Sequence, residues 1–382
     1  MRISAEQRRA RLGSRHRLAA RAKTVEDLVE SMVALHATDP ATVFLSAGAR
    51  LAEPGVEGLE RALYLDHTLV RMTGMRSTLF VVPSELAPVV HHASAAPLAV
   101  RARKRLVKHF LEGGPFDEAW IADAQAKVLA ALAESGDTSA AELGDAVPAL
   151  REQIVYAPGT AAEARQSVGS RLLTVMAMDG LIVRRARLAG SWLNGRHRWA
   201  LAEPQPHLGR AQAQAELARR WLRAFGPATA ADLKWWTGWT MAETRVALAA
   251  AGAAEVSLDE GTGHVLDGDL DFPEPEPWAA LLPALDPTPM GWQARDWYLP
   301  ESLRPALFDR SGNVGPTVWW NGQVVGGWAT REGGEVVWRA LTDVGAEAVS
   351  AVETEVAGLT AWLRGVRITP RFRTPLEREL TA

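Results

Sequence analysis

The sequence contains no cysteine among its 382 residues. This excludes disulfide bonds, thiolate nucleophiles and cysteine-ligated metal sites, and it fits a reducing compartment. Long apolar runs are also missing, because no stretch reaches the roughly 18 uninterrupted apolar residues typical of a membrane-spanning helix. The N-terminal segment MRISAEQRRARLGSRHRLAARAK lacks the apolar core of a secretory signal. We therefore expect a cytoplasmic protein with no membrane partner.

A strong excess of one charge is missing too. The chain has 42 Lys and Arg against 45 Asp and Glu, a net charge of −3, so only the local distribution can indicate a nucleic-acid partner. Basic residues cluster in the N-terminal segment, in RARKRLVK and in LIVRRARLAGSWLNGRHRWALAE, where tryptophans lie among the arginines. Each cluster taken alone is equally explained as a solvent-exposed face. A basic hairpin after a helix-turn-helix, however, is where phosphate contacts are expected.

The N-terminal part of the chain has the periodicity of three helices followed by two strands. TVEDLVESMVALHA, residues 24–37, has a Thr-x-x-Asp start and apolar residues at helical spacing, which predict a helix. Pro40 disfavours helix at Asp39, so Asp39 is expected to cap a second helix that starts at Pro40. A third helix is predicted over 56–65, and TLVRMTGMRSTLFVVP predicts two short strands joined by a turn.

The same order of elements recurs twice more, with a period of about 90–100 residues. The second set has helices at 117–134, in TSAAELGDAV and in EARQSVGSRLLTVMAMDG, followed by the basic hairpin. The third set has helices in GRAQAQAELARRWLRAFGP, TAADLKWWTGW and TMAETRVALAAAG, followed by the hairpin AAEVSLDEGTGHVLDGD. Three helices and a hairpin are the order of a winged helix, a variant of the helix-turn-helix.

The C-terminal part has a different pattern. DFPEPEP at 271–277 is acidic and proline-rich and predicts a linker. Short strands with Asn-Gly and Gly-Gly turns then predict a small sheet or barrel, followed by a helix at 344–364. The predicted fold class is therefore α+β, with tandem winged-helix repeats and a C-terminal small β-sheet or barrel domain. The predicted domains are 1–114, 115–206, 207–272 and 273–382.

Several stretches resemble the HTH_42 family of bacterial winged-helix proteins, which includes the AlkZ-like and YcaQ-like DNA glycosylases. These stretches are LHATDPATVFLSAGAR, RMTGMRSTLFVVP, GSWLNGRHRWALAE, ALDPTPMGW, RDWYLP and GPTVWWNGQVVGGWA. The similarity covers essentially the whole chain. It implies winged helices arranged as a C that embraces duplex DNA together with the β-domain. It also implies metal-free, monofunctional excision of bulky or cationic alkylated purines, including N7-alkylguanines.

The resemblance also points to a site. In that family a Gln-x-Gln or Gln-x-Asp motif in the first winged helix positions the hydrolytic water, and the matching positions here are His36 and Thr38. This chain therefore departs from the family at the catalytic motif. Cleavage of an N-glycosidic bond passes through an oxocarbenium-like state, which needs an oriented water and negative potential beside the sugar. Neutral His36 can accept a hydrogen bond from that water, Thr38 can orient it, and Asp39 can supply the field or act as base.

Each of these residues also has a structural interpretation. His36 would be a packed or capping histidine, Thr38 would form a local turn hydrogen bond, and Asp39 would be a plain N-cap. Ser46, in the middle of the second helix, is expected to be structural. No metal or cofactor is expected, because no carboxylate–histidine pattern at helical spacing accompanies the other histidines considered, His91, His92 and His109.

The resulting hypothesis is an AlkZ-like monofunctional DNA glycosylase that acts as a monomer on N7-alkylguanine-type purines in double-stranded DNA. We expect it in the cytoplasm, associated with the nucleoid. The predicted DNA-binding residues lie in the first strand pair and in the second hairpin: Arg71, Arg76, Thr78, Arg184, Arg185, Arg187, Trp192, Arg196 and Arg198. A non-catalytic winged-helix DNA-binding protein, either a regulator or a lesion-recognition factor, remains the main alternative. An enzyme acting on free nucleosides is disfavoured by the extended basic surface.

Overall fold

Helices and short antiparallel sheets alternate along the chain in the computed structural model, which describes residues 1–187, 191–272 and 275–382. The N-terminal elements, in chain order, are α1 (Ala5–Arg15), α2 (Val25–Met32), β1 (Leu35–His36), α3 (Pro40–Gly48), α4 (Val56–Tyr64), β2 (Leu69–Thr73), β3 (Leu79–Pro83), α5 (Ala87–Val90) and α6 (Ala96–Gly113). A single π-helical turn, His91–Ala95, joins α5 to α6. None of the described helices is long and apolar enough to cross a membrane.

The helix α2 begins as predicted, with the Thr24 side chain at its N-cap, but it ends at Met32. Val33 has a φ of 64°, outside the helical region, and the chain then forms β1, which pairs antiparallel with β3. The predicted helix over 24–37 is therefore wrong at its C-terminal end. The strand pairing supplies the backbone hydrogen bonds that further helical turns would have made. His36 consequently lies on a strand.

The start of α3 is as predicted. The Asp39 carboxylate accepts a hydrogen bond from the backbone N–H of Ala41 at 3.2 Å, and Pro40 is the first helical residue. The third helix and the strand pair are also confirmed, as α4 and as the antiparallel strands β2 and β3.

The middle of the chain continues with α7 (Glu118–Ser135), β4 (Thr138–Ser139), α8 (Ala140–Ala146), β5 (Gln153–Tyr156), β6 (Ala164–Ser167), α9 (Val168–Met178), β7 (Ile182–Arg187) and β8 (His197–Leu201). Ser139 and Glu142 form a capping box that starts α8. The helix predicted over EARQSVGSRLLTVMAMDG is wrong in its first residues, since 164–167 form β6 and pair with β5. Ser167 then caps a helix that begins at Val168.

The two hairpins β2–β3 and β7–β8 belong to one sheet. Its strand order is β1-β3-β2-β7-β8-β4, and Arg71 of β2 lies opposite Arg184 of β7 where the two hairpins meet. The sequence did not predict this junction, because strand pairing across about 110 residues leaves no local pattern. It fixes the orientation of the second hairpin relative to the first.

The third set of elements comprises α10 (Arg210–Phe225), β9 (Ala228–Thr229), α11 (Ala230–Thr237), α12 (Met241–Ala250), β10 (Ala253–Leu258) and β11 (Gly261–Leu266). Capping boxes at Thr229 and Thr240 start α11 and α12. The three helices and the hairpin predicted here are confirmed. Short β9 adds a third strand beside β11.

The C-terminal part contains β12 (Ala279–Leu282), α13 (Arg304–Leu307), β13 (Thr317–Trp320), β14 (Gln323–Thr330), β15 (Val336–Ala340), α14 (Gly345–Leu363) and α15 (Pro375–Leu380). Its four strands form an open sheet in chain order, which resolves the choice between sheet and barrel for the described residues. Asn321 and Gly322, with φ of 45° and 83°, form the predicted turn. The helix predicted at 344–364 is α14. Within the predicted linker, residues 273 and 274 lie outside the described ranges.

A fully buried ion pair joins the N-terminal helices to the C-terminal part. The Arg50 guanidinium makes two hydrogen bonds to Asp286, at 2.7 and 2.8 Å, and neither side chain is exposed. Ser46 of α3 donates to the same carboxylate at 2.7 Å, so its predicted structural role is confirmed. Arg50 also donates to the backbone carbonyl of His16 and to the hydroxyl of Thr288. Because these bonds occupy both charges, the pair is stabilised despite its desolvation.

Replacing Asp286 with Asn should lower the free energy of unfolding by about 3–5 kcal/mol, because Arg50 is left as a buried charge without its counterion. Urea denaturation followed by circular dichroism measures this change. The exposed pair Arg339–Glu379 provides the matched control, and Glu379→Gln should change the stability by less than about 1 kcal/mol. Equal effects of the two substitutions would contradict the importance assigned to burial.

Candidate functional site

The polar junction between β1 and α3 is enclosed by three other parts of the chain. Arg371, in the C-terminal tail, donates its backbone N–H to Asp39 at 2.9 Å and its guanidinium contacts the Thr38 carbonyl at 3.4 Å. Arg71 of β2 donates to the Ala37 carbonyl at 2.8 Å. On the side of the second hairpin, Gly195 lies so close to the Pro40 ring that a β-carbon there would contact it at 3.0 Å. The junction is thus where four separate segments converge.

His36 is mostly buried and neutral at physiological pH. Its ring packs edge-on against Phe80 with the centroids 5.2 Å apart. Burial lowers the pKa of His36 to about 4, and the nearby charge of Arg76 acts in the same direction. The backbone N–H of Thr38 points to His36 Nδ1 at 3.5 Å, a long contact that favours the tautomer with Nδ1 as the acceptor and the proton on Nε2. In this tautomer His36 presents a neutral N–H donor, whereas from the sequence we expected it to accept a hydrogen bond from the water.

Thr38 follows β1 at a bend, where its backbone N–H contacts the His36 ring. The Thr38 hydroxyl oxygen is buried and forms no hydrogen bond within the described residues. Buried polar atoms almost always have a partner, which is a protein group or a bound water. The structural interpretation of Thr38 as a local turn hydrogen bond finds no such bond among these residues.

Asp39 combines two roles. One carboxylate oxygen accepts the N–H of Ala41 and the other accepts the N–H of Arg371, so the side chain is an N-cap that also anchors the C-terminal tail. Only 7% of the residue is exposed. Burial lowers the pKa of Arg71, and the nearby charge of Asp39 acts in the opposite direction. With each oxygen held by a backbone N–H, Asp39 presents a fixed carboxylate at the junction.

Arg71 and Arg184, both predicted to bind DNA, lie opposite each other where β2 of the first hairpin pairs with β7 of the second. Burial lowers the pKa of Arg184 to about 9, and the neighbouring charge of Arg71 adds to this effect. The Arg184 guanidinium lies 4.6 Å above the ring of Trp199. Next to it, His197 has its Nδ1 3.0 Å from the Gly195 carbonyl, and burial lowers the pKa of His197 to about 4.

Three other predicted DNA-binding residues have protein partners. Arg185 pairs with Glu203 at 2.9 Å. Arg198 pairs with Asp137 at 3.2 Å and with Glu142 at the same distance.

Trp192, the third of these residues, packs between Phe44 and Trp362, with ring centroids 5.4 and 5.7 Å away. This places it in an apolar contact between the second hairpin, α3 and α14, rather than on a surface that stacks bases.

The remaining residues of that prediction lie around two turns. Arg76 is exposed, adopts a φ of 56° and stacks at 4.6 Å on Trp235. Thr78 donates its hydroxyl to the Met75 carbonyl at 2.9 Å, a local turn bond. Arg196 is exposed at the tip of the second hairpin. The side chain of Arg187 lies outside the described residues.

The sequence alone does not identify three groups around this site. His197 lies within the basic hairpin, but no pattern singles it out. The contact of Arg371 with Asp39 spans more than 300 positions of sequence and has no local signature. Arg295 is also distant in sequence from Arg76, yet both contact the Trp235 ring, Arg295 at 4.8 Å.

The described residues contain no group of three or more His, Asp or Glu side chains placed to hold a metal ion. His91 and His92 pack against each other, with centroids 5.0 Å apart. The chemistry available at the junction is therefore hydrogen bonding and electrostatics from His36, Thr38, Asp39 and the arginines around them.

The lowered pKa values of buried histidines predict how stability depends on pH. His16, His36 and His197 have pKa values of about 3, 4 and 4, against 6.5 for the exposed group. Between these values the unfolded chain binds more protons than the folded one. The free energy of unfolding should therefore fall as the pH falls from 6.5 towards 4.

His36→Gln should make this fall shallower, because one of the three groups no longer titrates. Urea unfolding at a series of pH values measures the slope. NMR titration gives a direct check, in which the His36 ring signal, identified by its loss in the variant, should move with a midpoint near pH 4. A midpoint near 6.5 would contradict the burial described here.

Comparison with known proteins adds the family to this geometry. A family model described as DNA glycosylase AlkZ-like matches residues 29–362. No curated protein sequence matches the chain. The solved structure of the DNA glycosylase AlkZ from Streptomyces sahachiroi is similar with a TM-score of 0.73 and 20% identity, covering 97% of this chain and 99% of that one. At this identity the structural likeness shows the shared fold, whereas the family model spans most of the sequence. The chain belongs to the AlkZ-like family of DNA glycosylases.

Proposed function

We propose that this protein hydrolyses the N-glycosidic bond of alkylated, N7-alkylguanine-type purines in duplex DNA, with His36 and Thr38 holding the attacking water. Membership of the family assigns the reaction class, a DNA glycosylase and thus a hydrolase. It supports the glycosylase hypothesis over the non-catalytic DNA-binding alternative. The substrate, the residue roles, the monomeric state and the arrangement as tandem winged helices are our proposals.

The Thr38 hydroxyl is the observation that carries this proposal. It is buried and has no partner within the described residues, and the Thr38 backbone N–H contacts the ring of His36, the other residue that the family resemblance implies for holding the water. A water bound there would accept a hydrogen bond from one group and donate to the other, since a threonine hydroxyl can do both. Holding the water in this way supplies the orientation that glycosidic cleavage requires.

His36 acts in this proposal as a neutral hydrogen-bond donor. With Nδ1 facing the Thr38 N–H, its Nε2–H is free to direct the water oxygen towards the sugar carbon. A glutamine amide can also donate through N–H, so His36 reproduces that part of the family motif. Its lowered pKa keeps the ring uncharged, which avoids placing a positive charge beside an oxocarbenium-like sugar.

The leaving group explains why no strong acid is needed at the junction. An N7-alkylated guanine already carries a positive charge and departs as a neutral base with the electron pair of the glycosidic bond, while the water adds to the sugar carbon and releases its proton to solvent. The enzyme then has to stabilise the cationic sugar, and Asp39 is the carboxylate at this junction that can contribute negative potential. DNA phosphates bound by the surrounding arginines add to that potential.

A single-turnover assay tests the site on duplex DNA that carries one N7-methylguanine, with alkaline cleavage of the abasic product. Thr38→Val keeps the β-branched shape but loses the hydroxyl, so the rate should fall about 100-fold with little change in duplex affinity. His36→Gln should retain most of the rate, because glutamine is the residue that family members have there. The absence of any abasic product from the wild-type protein, across methyl and bulkier adducts, would sink the proposal.

Thr42→Val is the matched control. Thr42 is also a buried threonine, and its hydroxyl donates to the Ala284 carbonyl at 2.8 Å. This variant should lose stability, because the carbonyl is left without its donor, while the excision rate stays near that of the wild type. A rate loss as large as that of Thr38→Val would show that both effects come from packing.

Substitutions of Asp39 separate its capping role from its charge. Asp39→Asn keeps one acceptor oxygen for the N-cap but loses the negative charge and one of the two backbone bonds, so the excision rate should fall with a smaller loss of stability than in Asp39→Ala. Asp39→Ala should lower the rate and also cost about 1 kcal/mol of stability. If Asp39→Asn excises at the wild-type rate, the carboxylate contributes no useful field to the reaction.

A further inference from the structure

The contact between the two hairpins places two arginines together. Arg71 and Arg184 are directly opposite each other on adjacent strands, and like charges in that position destabilise a sheet. Within the described residues, neither forms an ion pair with a carboxylate. Asp39 is close enough to favour the charge on Arg71, but its oxygens already accept hydrogen bonds from two backbone N–H groups. The pair therefore carries positive charge without a dedicated counterion.

Both guanidiniums also have hydrogen-bonding capacity that the protein does not use. The Nε atoms of Arg71 and Arg184 are buried, and they have no partner among the residues that the structure describes. Nε of neighbouring His197 is in the same condition. Since buried donors are rarely left unpaired, these three side chains have the features of a binding site for an acceptor from outside the chain.

The two side chains are held in place in advance. Arg71 is fixed through its bond to the Ala37 carbonyl at 2.8 Å. Arg184 rests on the Trp199 ring, with which His197 also makes an edge-on contact at 4.5 Å. A guanidinium fixed in this way loses little side-chain entropy on binding and offers a planar fork that matches phosphate oxygens.

We infer that Arg71 and Arg184 together form a binding site for one phosphate group, and that the occupant is a backbone phosphodiester next to the nucleotide whose base is removed. This inference rests on the proposed function. The position favours a DNA phosphate over a free anion, because Arg71 bonds directly to the residue between His36 and Thr38. A phosphate held here brings its negative charge to the junction where the sugar becomes cationic.

Stability and binding should respond in opposite directions to removal of Arg184. In the free protein, Arg184→Met removes a desolvated charge beside Arg71 and keeps an unbranched side chain over Trp199. Its melting temperature without DNA should equal or exceed that of the wild type. A merely structural arginine would give the reverse, a lower melting temperature with unchanged affinity.

Duplex binding is measured with a probe on which no chemistry occurs, a duplex with a tetrahydrofuran abasic analogue. Arg184→Met should weaken binding, and the slope of log affinity against log salt should decrease by about 1, the loss of one phosphate contact. Arg339→Met is the matched control, since it removes an exposed arginine paired with Glu379. That control should leave affinity and slope unchanged.

Single methylphosphonates, placed in turn at the phosphates flanking the analogue, identify the occupant. At one position the neutral linkage should weaken binding by the wild-type protein but not by Arg184→Met. If every position weakens both proteins by the same factor, the site does not hold a DNA phosphate. In that case, the melting temperatures of the wild type and of Arg184→Met are compared with and without inorganic phosphate. An increase in the wild type but not in Arg184→Met would assign the Arg71–Arg184 pair to a free anion and overturn the DNA assignment.

Arg184→Lys guards against misfolding of the methionine variant. It retains the charge but not the fork, so its affinity should fall between those of the wild type and Arg184→Met. The result is independent of catalysis. If the wild-type protein does not excise the base but shows this pattern of binding, the proposed reaction is refuted and the phosphate site stands. If it does excise the base but each methylphosphonate weakens both proteins by the same factor, the phosphate site is refuted and the reaction stands.

Discussion

The Arg50–Asp286 pair is the constraint on which the position of the candidate site depends. It lies without solvent exposure between α3 and the segment that follows β12. Arg50 also donates to the backbone carbonyl of His16 at the end of α1, and the His16 ring contacts the hydroxyl of Thr288. The pair holds α3 from its C-terminal side while Asp39 defines the other end of the same helix. Any shift of this ion pair would move α3, and with it the junction that contains His36 and Thr38. Breaking a buried pair is costly, so the geometry around the junction has little freedom.

Local patterns predicted most of the elements. The N-caps at Thr24 and Asp39 and the Asn321–Gly322 turn all have short signatures with a clear physical origin, and each occurs as predicted. Errors arose where a segment with helical periodicity forms a strand because it pairs with another strand, whether near or distant in sequence. The end of α2 and the start of α9 both read as helix, but the backbone pairs with a distant or newly formed strand instead. The hydrophobic periodicity of a segment does not show whether helix or strand will form there, because the outcome depends on a partner strand outside the segment.

The candidate site was predictable in part for the same reason. His36, Thr38 and Asp39 are close in sequence, so their proximity in space followed from the helix break at Pro40. The basic hairpin was also recognisable, but the direction of each side chain was not. Trp192 turns towards Phe44 and Trp362, and Arg184 lies over the Trp199 ring at the position opposite Arg71. Those directions are set by the shared six-stranded sheet, which composition does not reveal. Arg371 joins the site only through the fold.

The two residues of β1 have a consequence for substitutions at this site. The chain is held at this point by main-chain bonds, from β1 to β3 and from the Ala37 N–H to the Leu79 carbonyl at 2.8 Å. Because the backbone provides the anchorage, the side chains at 36 and 38 can be exchanged without loss of the scaffold. A substitution at either position would therefore change the polar groups that the junction presents without moving the strands and the helix that hold it.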